Sequence, residues 1–417
     1  MKSHNKKQRK NSPPTGINRR QFIKEACLLT AGAVGTLDSL ARGAHPVVNG
    51  ESVPGKMMYR CLGRTNLNIS VVVGGEMDHH QMYERAYELG VNYWHKVGNF
   101  SHPGPEFFKG KDRDSFYCDM VIDTLDKDGA IAQFEWGLKQ SGLERIDFIK
   151  IHSLYREPRD IQKYGGIFKA FDYLKERGKV RFMSIAQHGN TAEICTACIE
   201  SGLFDAIQPN FNLFSPPEMY DVIAFAKKHD VGVICKKVLA GGERLWQRRP
   251  DRKREVEFQI DKSGYTLGQA MLKWVLDVPG ITAVVPLITN FEHLEEDIAV
   301  GFVEKTLPSA ASRANRRALV DLAGDLSSEY CRSCGQCVST CPKQIPVPDI
   351  FRYDLYFSAY KRTKNAKQLY AEIPSGQTAD HCIECGTCEE TCPHSLPIMA
   401  KLRRAHSKLG TFPKGTP

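Results

Sequence analysis

The chain has 417 residues, 41% hydrophobic and 25% charged, an ordinary balance for a globular protein and enough length for two or three domains. Its net charge of +9 is gathered at one end: residues 1–41 hold eight Lys/Arg against Glu25 and Asp38, leaving only +3 on residues 42–417. That remainder is too small to mark a nucleic-acid surface, so a nucleic-acid partner is not expected.

Read from the amino terminus, a basic segment leads into Asn18-Arg19-Arg20-Gln21-Phe22-Ile23-Lys24, then an apolar run from Ala26 to Leu37, then Ser39-Leu40-Ala41. This arrangement resembles a twin-arginine (Tat) signal peptide with a small-x-small cleavage site. It implies export in the folded state, a periplasmic or otherwise exported location, and a signal over residues 1–41. The run holds two glycines and falls well short of the about 20 apolar residues that cross a bilayer, so the protein is not expected to be transmembrane. Residues 42–56, with Pro46 and Pro54, read as a linker.

From Ile69 to Gly301 short apolar runs alternate with amphipathic stretches, the pattern of repeated βα units. Expected strands are Ile69–Gly74, Val91–His95, Ser115–Asp119, Ile146–Ile151, Val180–Ala186, Ala206–Gln208, Val231–Cys235 and Thr282–Val285. Expected helices include Ile131–Gln140, Ile167–Lys175, Ala192–Glu200, Met219–Lys228, Leu267–Leu276 and Glu292–Ala299. Eight strands over this length fit an α/β fold of the (β/α)8 TIM-barrel type, here residues 57–305, and no GxGxxG follows an early strand.

The residues themselves resemble the aldo/keto reductase family over about Tyr59 to Gly301. The markers, in order, are Leu62-Gly63-Arg64-Thr65, Leu89-Gly90-Val91-Asn92, Asp147-Phe148-Ile149-Lys150-Ile151-His152, Gly178-Lys179-Val180-Arg181, Gln208-Pro209-Asn210-Phe211-Asn212 and Lys237 to Gly242. The resemblance implies carbonyl reduction with NADPH by a Tyr acid, assisted by Lys, Asp and His. Aligned on Gly90, however, His95 stands in the place of the Asp and Phe100 in that of the Tyr. Met120 or Val121 stands where the Lys should be, and only His152 matches. Phenylalanine donates no proton, so the usual hydride route is closed. Lys237, Gly241 and Gly242 remain the candidate contacts for a nucleotide phosphate, and NADP(H) binding is left open by these departures. The basic run Arg248 to Arg254 reads as a solvated loop.

The strand ends bring His79 or His80, His95, His152 and His188 toward one mouth. Lys150 lies two residues before His152, so strand alternation turns it inward as well, with Asp119 as a candidate partner. The candidate catalytic set is His152, Lys150 and His95. Three states of this pocket are open: a re-equipped acid/base site, a histidine-rich metal site, or a degenerate pocket. Cys195 and Cys198 on a helix, and Cys61, Cys118 and Cys235 elsewhere, read as packing residues.

After a connecting helix over residues 306–328, the segment 329–417 carries the most specific signal. Cys331-x2-Cys334-x2-Cys337-x3-Cys341-Pro342 recurs as Cys382-x2-Cys385-x2-Cys388-x3-Cys392-Pro393. In two-cluster ferredoxins this rhythm wraps three thiolates around one [4Fe–4S] cluster and sends the fourth to the other. Cys331, Cys334, Cys337 and Cys392 therefore form one ligand set, and Cys382, Cys385, Cys388 and Cys341 the second. Asp349 to Glu372 reads as helical, making this a mainly α-helical dicluster module.

The expected protein is an exported iron–sulfur oxidoreductase that passes electrons between a small-molecule substrate and an external redox partner. Hydride carries two electrons and a cluster takes one, so direct transfer from NADPH would need a flavin, for which no motif is present. The alternative is a non-catalytic electron-transfer or binding subunit with a degenerate barrel.

Overall fold

The computed structural model describes residues 56–98, 104–242, 250–302 and 309–410. The twin-arginine segment, its cleavage site and Phe100 lie outside the described residues. A short antiparallel hairpin, β1 (Tyr59–Cys61) and β2 (Asn68–Ser70), precedes the main sheet. The sheet is parallel and runs in chain order: β3 (Tyr93–Trp94), β4 (Tyr117–Ile122), β5 (Phe148–His152), β6 (Phe182–Gln187), β7 (Ala206–Pro209), β8 (Gly232–Lys236) and β9 (Ala283–Val285). Val72 bridges Val284 on one edge and Gly74 bridges Trp94 on the other, both in parallel. That segment closes the sheet into a TIM-type barrel.

The expected first strand, Ile69–Gly74, thus divides. Its start pairs in the hairpin, while the rest makes only the two closing bridges. Gly74 permits the closure, because a Cβ there would meet the Trp94 ring at 2.3 Å.

The helices form where the apolar spacing predicts. Gly166–Glu176 buries Ile167, Ala170 and Leu174 against the sheet, and Leu267–Leu276 starts at a capping box between Thr266 and Gln269. Part of the basic run expected as a loop belongs to helix Pro250–Asp261, where Arg252 pairs with Glu255 and, at 2.7 Å, with Asp325. Cys118, Cys195, Cys198 and Cys235 are buried as expected of packing residues. Cys61 is not; it lies exposed on the hairpin.

Side-chain alternation stacks the barrel interior in layers. The lower layer is an apolar plug of Val73, Tyr93, Tyr117, Phe148, Ala206, Ile234 and Ala283. Two residues further along the strands the chemistry changes. Asp119, Lys150, Ser184 and Gln208 are buried there, together with His95 just past β3 and Lys236 at the end of β8.

Helix Ser309–Asp325 leads to the carboxy-terminal domain, which is built from helices Gln336–Ser339, Val347–Ser358, Thr363–Ala371, Thr387–Thr391 and Ile398–Leu409. The stretch expected as one helix from Asp349 to Glu372 is broken, with Lys361 in the left-handed region at φ 57°. Its core is formed by Ile345, Val347, Ile350, Tyr370, Leu396, Ile398, Leu402 and Leu409. Among the described residues no helix is long and apolar enough to cross a membrane.

Candidate functional site

Asp119 is the hub of the polar layer. Its Oδ1 accepts from the Lys150 ammonium and, at 2.8 Å, from the Lys96 backbone N–H. Its Oδ2 accepts from Tyr93 Oη at 3.2 Å, from His95 Nδ1 at 3.0 Å and from Gln208 Nε2 at 3.1 Å. The Lys150 ammonium also stands 2.8 Å from His95 Nδ1 and 3.1 Å from His95 Nε2. Burial would raise the Asp119 carboxyl, but the charges and hydrogen bonds of His95 and Lys150 outweigh it and hold the group well below the usual range. Burial pulls Lys150 down to about 8, against the opposing pull of Asp119. It also drives His95 down to about 4, so that ring is neutral at pH 7.

A second group lies nearer the rim. His188 Nδ1 stands 3.1 Å from Asn210 Oδ1, and His188 Nε2 stands 3.0 Å from His152 Nε2. Asn210 can only accept through that oxygen, so His188 donates to it and receives the Nε2–H of His152. The chain fixes both tautomers and leaves Nδ1 of His152 unprotonated. Burial, followed by the nearby charge of Lys236, keeps both rings well below the usual histidine range. Two equally charged rings at 3.0 Å would repel, so neutrality also agrees with the geometry.

The third component comes from the carboxy-terminal domain. Lys237, in the left-handed region at φ 57°, carries its ammonium 4.4 Å from the Tyr356 ring and 4.5 Å from the Tyr360 ring. Burial raises the Tyr356 phenol, but Lys237 and Arg352 outweigh it and bring the group down to about 8. Leu355 covers Gly241 so closely that a Cβ would meet it at 2.6 Å. Glu76 accepts from Lys96 at 2.9 Å and also pairs with Arg362. Between the domains runs a cavity lined by Asn210, Lys237, Tyr330, Cys331, Arg352 and Lys401, among others.

His152, Lys150 and His95 therefore all reach the barrel mouth, joined by His188 and Asp119. His80 does not. It begins helix His80–Glu88 and faces Glu84 at 3.5 Å. Lys237 and Gly241 are covered by helix Val347–Ser358, while nothing contacts the position where a Gly242 Cβ would lie. The sequence reading missed Lys236, Arg352 and Tyr356. The doubled lysine Lys236-Lys237 at a strand end was the one local signal available for them.

The cysteines fit two iron–sulfur clusters in the crossed arrangement. One apolar cavity is lined by Cys341, Cys382, Cys385 and Cys388, and another by Cys331, Cys334, Cys337 and Cys392. Around each, the backbone turns at left-handed residues: Ser333, Gly335 and Gln344 in the first motif, Glu384, Gly386 and Ser395 in the second. Such turns point successive N–H groups into a concavity suited to sulfide and thiolate. Burial raises the thiols of Cys331, Cys337 and Cys388 to about 11, 12 and 11, so a bound metal is needed to hold them as thiolates at neutral pH. Among the described residues no three His, Cys, Asp or Glu side chains are placed around a single ion.

Comparison with known proteins divides the chain at the same place. Two curated relatives are matched over short stretches. The alpha 1 chain of the acetyl-CoA decarbonylase/synthase complex of Methanosarcina mazei is 26% identical over 129 residues, 31% of this chain and 14% of that protein. One component of the H(2):CoB-CoM heterodisulfide,ferredoxin reductase of Methanothermobacter marburgensis is 32% identical over 106 residues, 22% of this chain and 54% of that protein. The chain thus spans between a seventh and about half of the lengths of these relatives. An aldo-keto reductase structure from Bacillus halodurans covers 63% of this chain and 96% of its own, with a TM-score of 0.50 at 18% identity, a likeness of fold. Family models match in two places, the aldo/keto reductase family over residues 109–311 and the 4Fe-4S dicluster domain over residues 330–396.

Proposed function

We propose that this protein is an exported iron–sulfur oxidoreductase in which the barrel mouth binds a small molecule and the two clusters connect it to an external redox partner. The observation that carries this reading is the seating of the dicluster domain on the polar layer. Cys331, a cluster ligand, lines the same cavity as Asn210 and Lys237 of the barrel. When bound, the clusters supply single electrons, and two of them match a two-electron change at a carbonyl or hydroxyl carbon.

The chain's own residues manage protons. Lys150, protonated below about pH 8 and held by Asp119 and His95, is the buried acid. Tyr356, beside Lys237, is a second phenolic acid supplied from outside the barrel, where the family's own tyrosine is replaced by Phe100. His152 and His188 are fixed as neutral tautomers, and the unprotonated Nδ1 of His152 can accept a proton or a hydrogen bond from a substrate hydroxyl. The ground expected for a nucleotide phosphate is taken by Leu355, Tyr356 and Tyr360, so this reading dispenses with NADP(H).

The test is cluster reoxidation. Protein loaded anaerobically and reduced with dithionite is mixed with a panel of small carbonyl compounds, and the visible absorbance of the clusters is followed. Substrate-dependent reoxidation is expected, slowed about 100-fold or more in Lys150→Met and His152→Ala. No reoxidation by any compound, or equal rates in both variants, would leave a non-catalytic electron-transfer protein instead. Export rests on Arg19-Arg20, the apolar run and Ala41, with the mature chain starting near Arg42. Changing both arginines to lysine is expected to strand an unprocessed precursor in the cytoplasm, and unchanged processing would rule out this route.

A further inference from the structure

His188, Asn210 and Lys236 stand in one row across three neighbouring strands. Ala186 pairs with Gln208 and Gln187 with Pro209, which sets His188 beside Asn210, and Asn210 bridges Lys236 directly. Within this row the needs of His188 and Asn210 are met by each other and by His152. Lys236 differs. It is only 7% exposed, yet no hydrogen bond or ion pair among the described residues includes its ammonium. The other cations around the mouth have partners: Lys150 has Asp119, Lys96 and Arg362 share Glu76, Arg352 holds Asp349 at 2.7 Å, and Lys237 lies over two tyrosine rings. Deeper in the barrel, Ser184 Oγ and Gln208 Oε1 are buried without a hydrogen-bond partner.

An unmatched ammonium in a low-dielectric site is strongly unfavourable unless something brings the opposite charge. A hydrophobic residue would fill this place without that penalty. We propose that the mouth binds a small organic oxyanion, a carboxylate or a phosphate ester, through Lys236, with Arg352 of the dicluster domain supplying the second positive charge. This rests on the reading of the mouth as the substrate site and names the class of substrate it takes. The interdomain cavity is lined by Arg352 and by Asn210, the bridge partner of Lys236, and so opens beside the proposed site.

A proton accompanies the anion. Burial first, then the charges of Lys150, Lys237 and Lys96, push Lys236 well below the usual lysine range, and Asp119 opposes them only in part. The groups facing it are these four and the neutral His152 and His188. An arriving anion opposes these effects and pulls the amine back up, so the proton change linked to binding is an uptake.

The experiment is isothermal titration of the full, cluster-loaded chain with inorganic phosphate, acetate and uncharged acetamide, in two buffers of different ionisation enthalpy. Saturable binding of phosphate or acetate but not acetamide is expected, with proton uptake. Phosphate as the tighter ligand indicates a phosphate ester, acetate a carboxylate. Lys236→Met is expected to weaken binding at least tenfold and abolish proton uptake, while Lys236→Arg binds the anion without proton uptake. Should Lys236→Met fold poorly, Arg352→Gln serves as the second variant, with severalfold weaker binding. Binding of neither anion, or wild-type affinity in both variants, overturns the proposal. Anion binding through Lys236 without cluster reoxidation by any anionic substrate would instead fault the oxidoreductase reading alone.

Discussion

Cys331–Ser358 and Cys382–Leu409 trace the same path 51 residues apart. Left-handed residues fall at matching positions, and each path ends in a 12-residue helix entered through a proline, Pro346 in one and Pro397 in the other. Their surroundings differ. The first helix lies on the barrel and presents Arg352, Leu355 and Tyr356 to the mouth. The second carries Arg403, His406 and Ser407 at those positions. Arg403 is exposed and pairs with Glu384 at 3.3 Å, a contact of surface strength. Where a fold is repeated, the shared features belong to holding a cluster. Tyr356 is not among them, since the second copy has Ser407 at that position; Arg352 is matched in type by Arg403 and differs from it in its surroundings.

The largest effect should come from breaking what the copies share. Cys341→Ser and Cys392→Ser are each expected to damage the cluster of the opposite half, lowering iron from about eight per chain toward about four. Loss confined to the cluster of the mutated motif would remove the crossed ligand arrangement. Next come the paired arginines. Arg352→Ala should lower turnover about tenfold or more, while Arg403→Ala leaves it unchanged at equal iron content. Equal effects would mean that the first helix has no special role. The smallest and most local effect concerns Tyr356, whose phenol loses its proton near pH 8. A tyrosinate difference spectrum should show one group ionising there, absent in Tyr356→Phe and shifted upward in Lys237→Met. Turnover that draws on this proton falls as pH rises through about 8, and Tyr356→Phe should lose part of that limb.

The sequence made the cluster ligands legible because cysteine spacing is a local code that survives any docking of the domain. Lys150 was legible for a similar reason: strand alternation ties it to His152, two residues on, whichever partners surround them. Asp119 followed as the one acid at a neighbouring strand end. The alternative His79 or His80 did not reach the mouth, because a helix starts there: His79 lies exposed just before it and His80 faces Glu84. Lys236, Arg352 and Tyr356 stayed hidden because their roles arise only when two domains meet. No periodicity in the chain records which face of helix Val347–Ser358 lies on the barrel. Helix periodicity also merged two helices into one, since Lys361 carries no sequence signal for its left-handed turn.

Glu76 belongs to the barrel, yet it is shared between Lys96 of the barrel and Arg362 of the dicluster domain. The Lys237 ammonium likewise has its nearest rings in the other domain. Neither half is therefore a free cassette. Recombination that kept this barrel but brought in a different ferredoxin would strip Lys237 of its aromatic cover and Glu76 of one of its two cations. Any lineage that inherits such a fusion is bound to vary both halves in step, and substitutions at Tyr356 or Tyr360 should be matched by changes at Lys237.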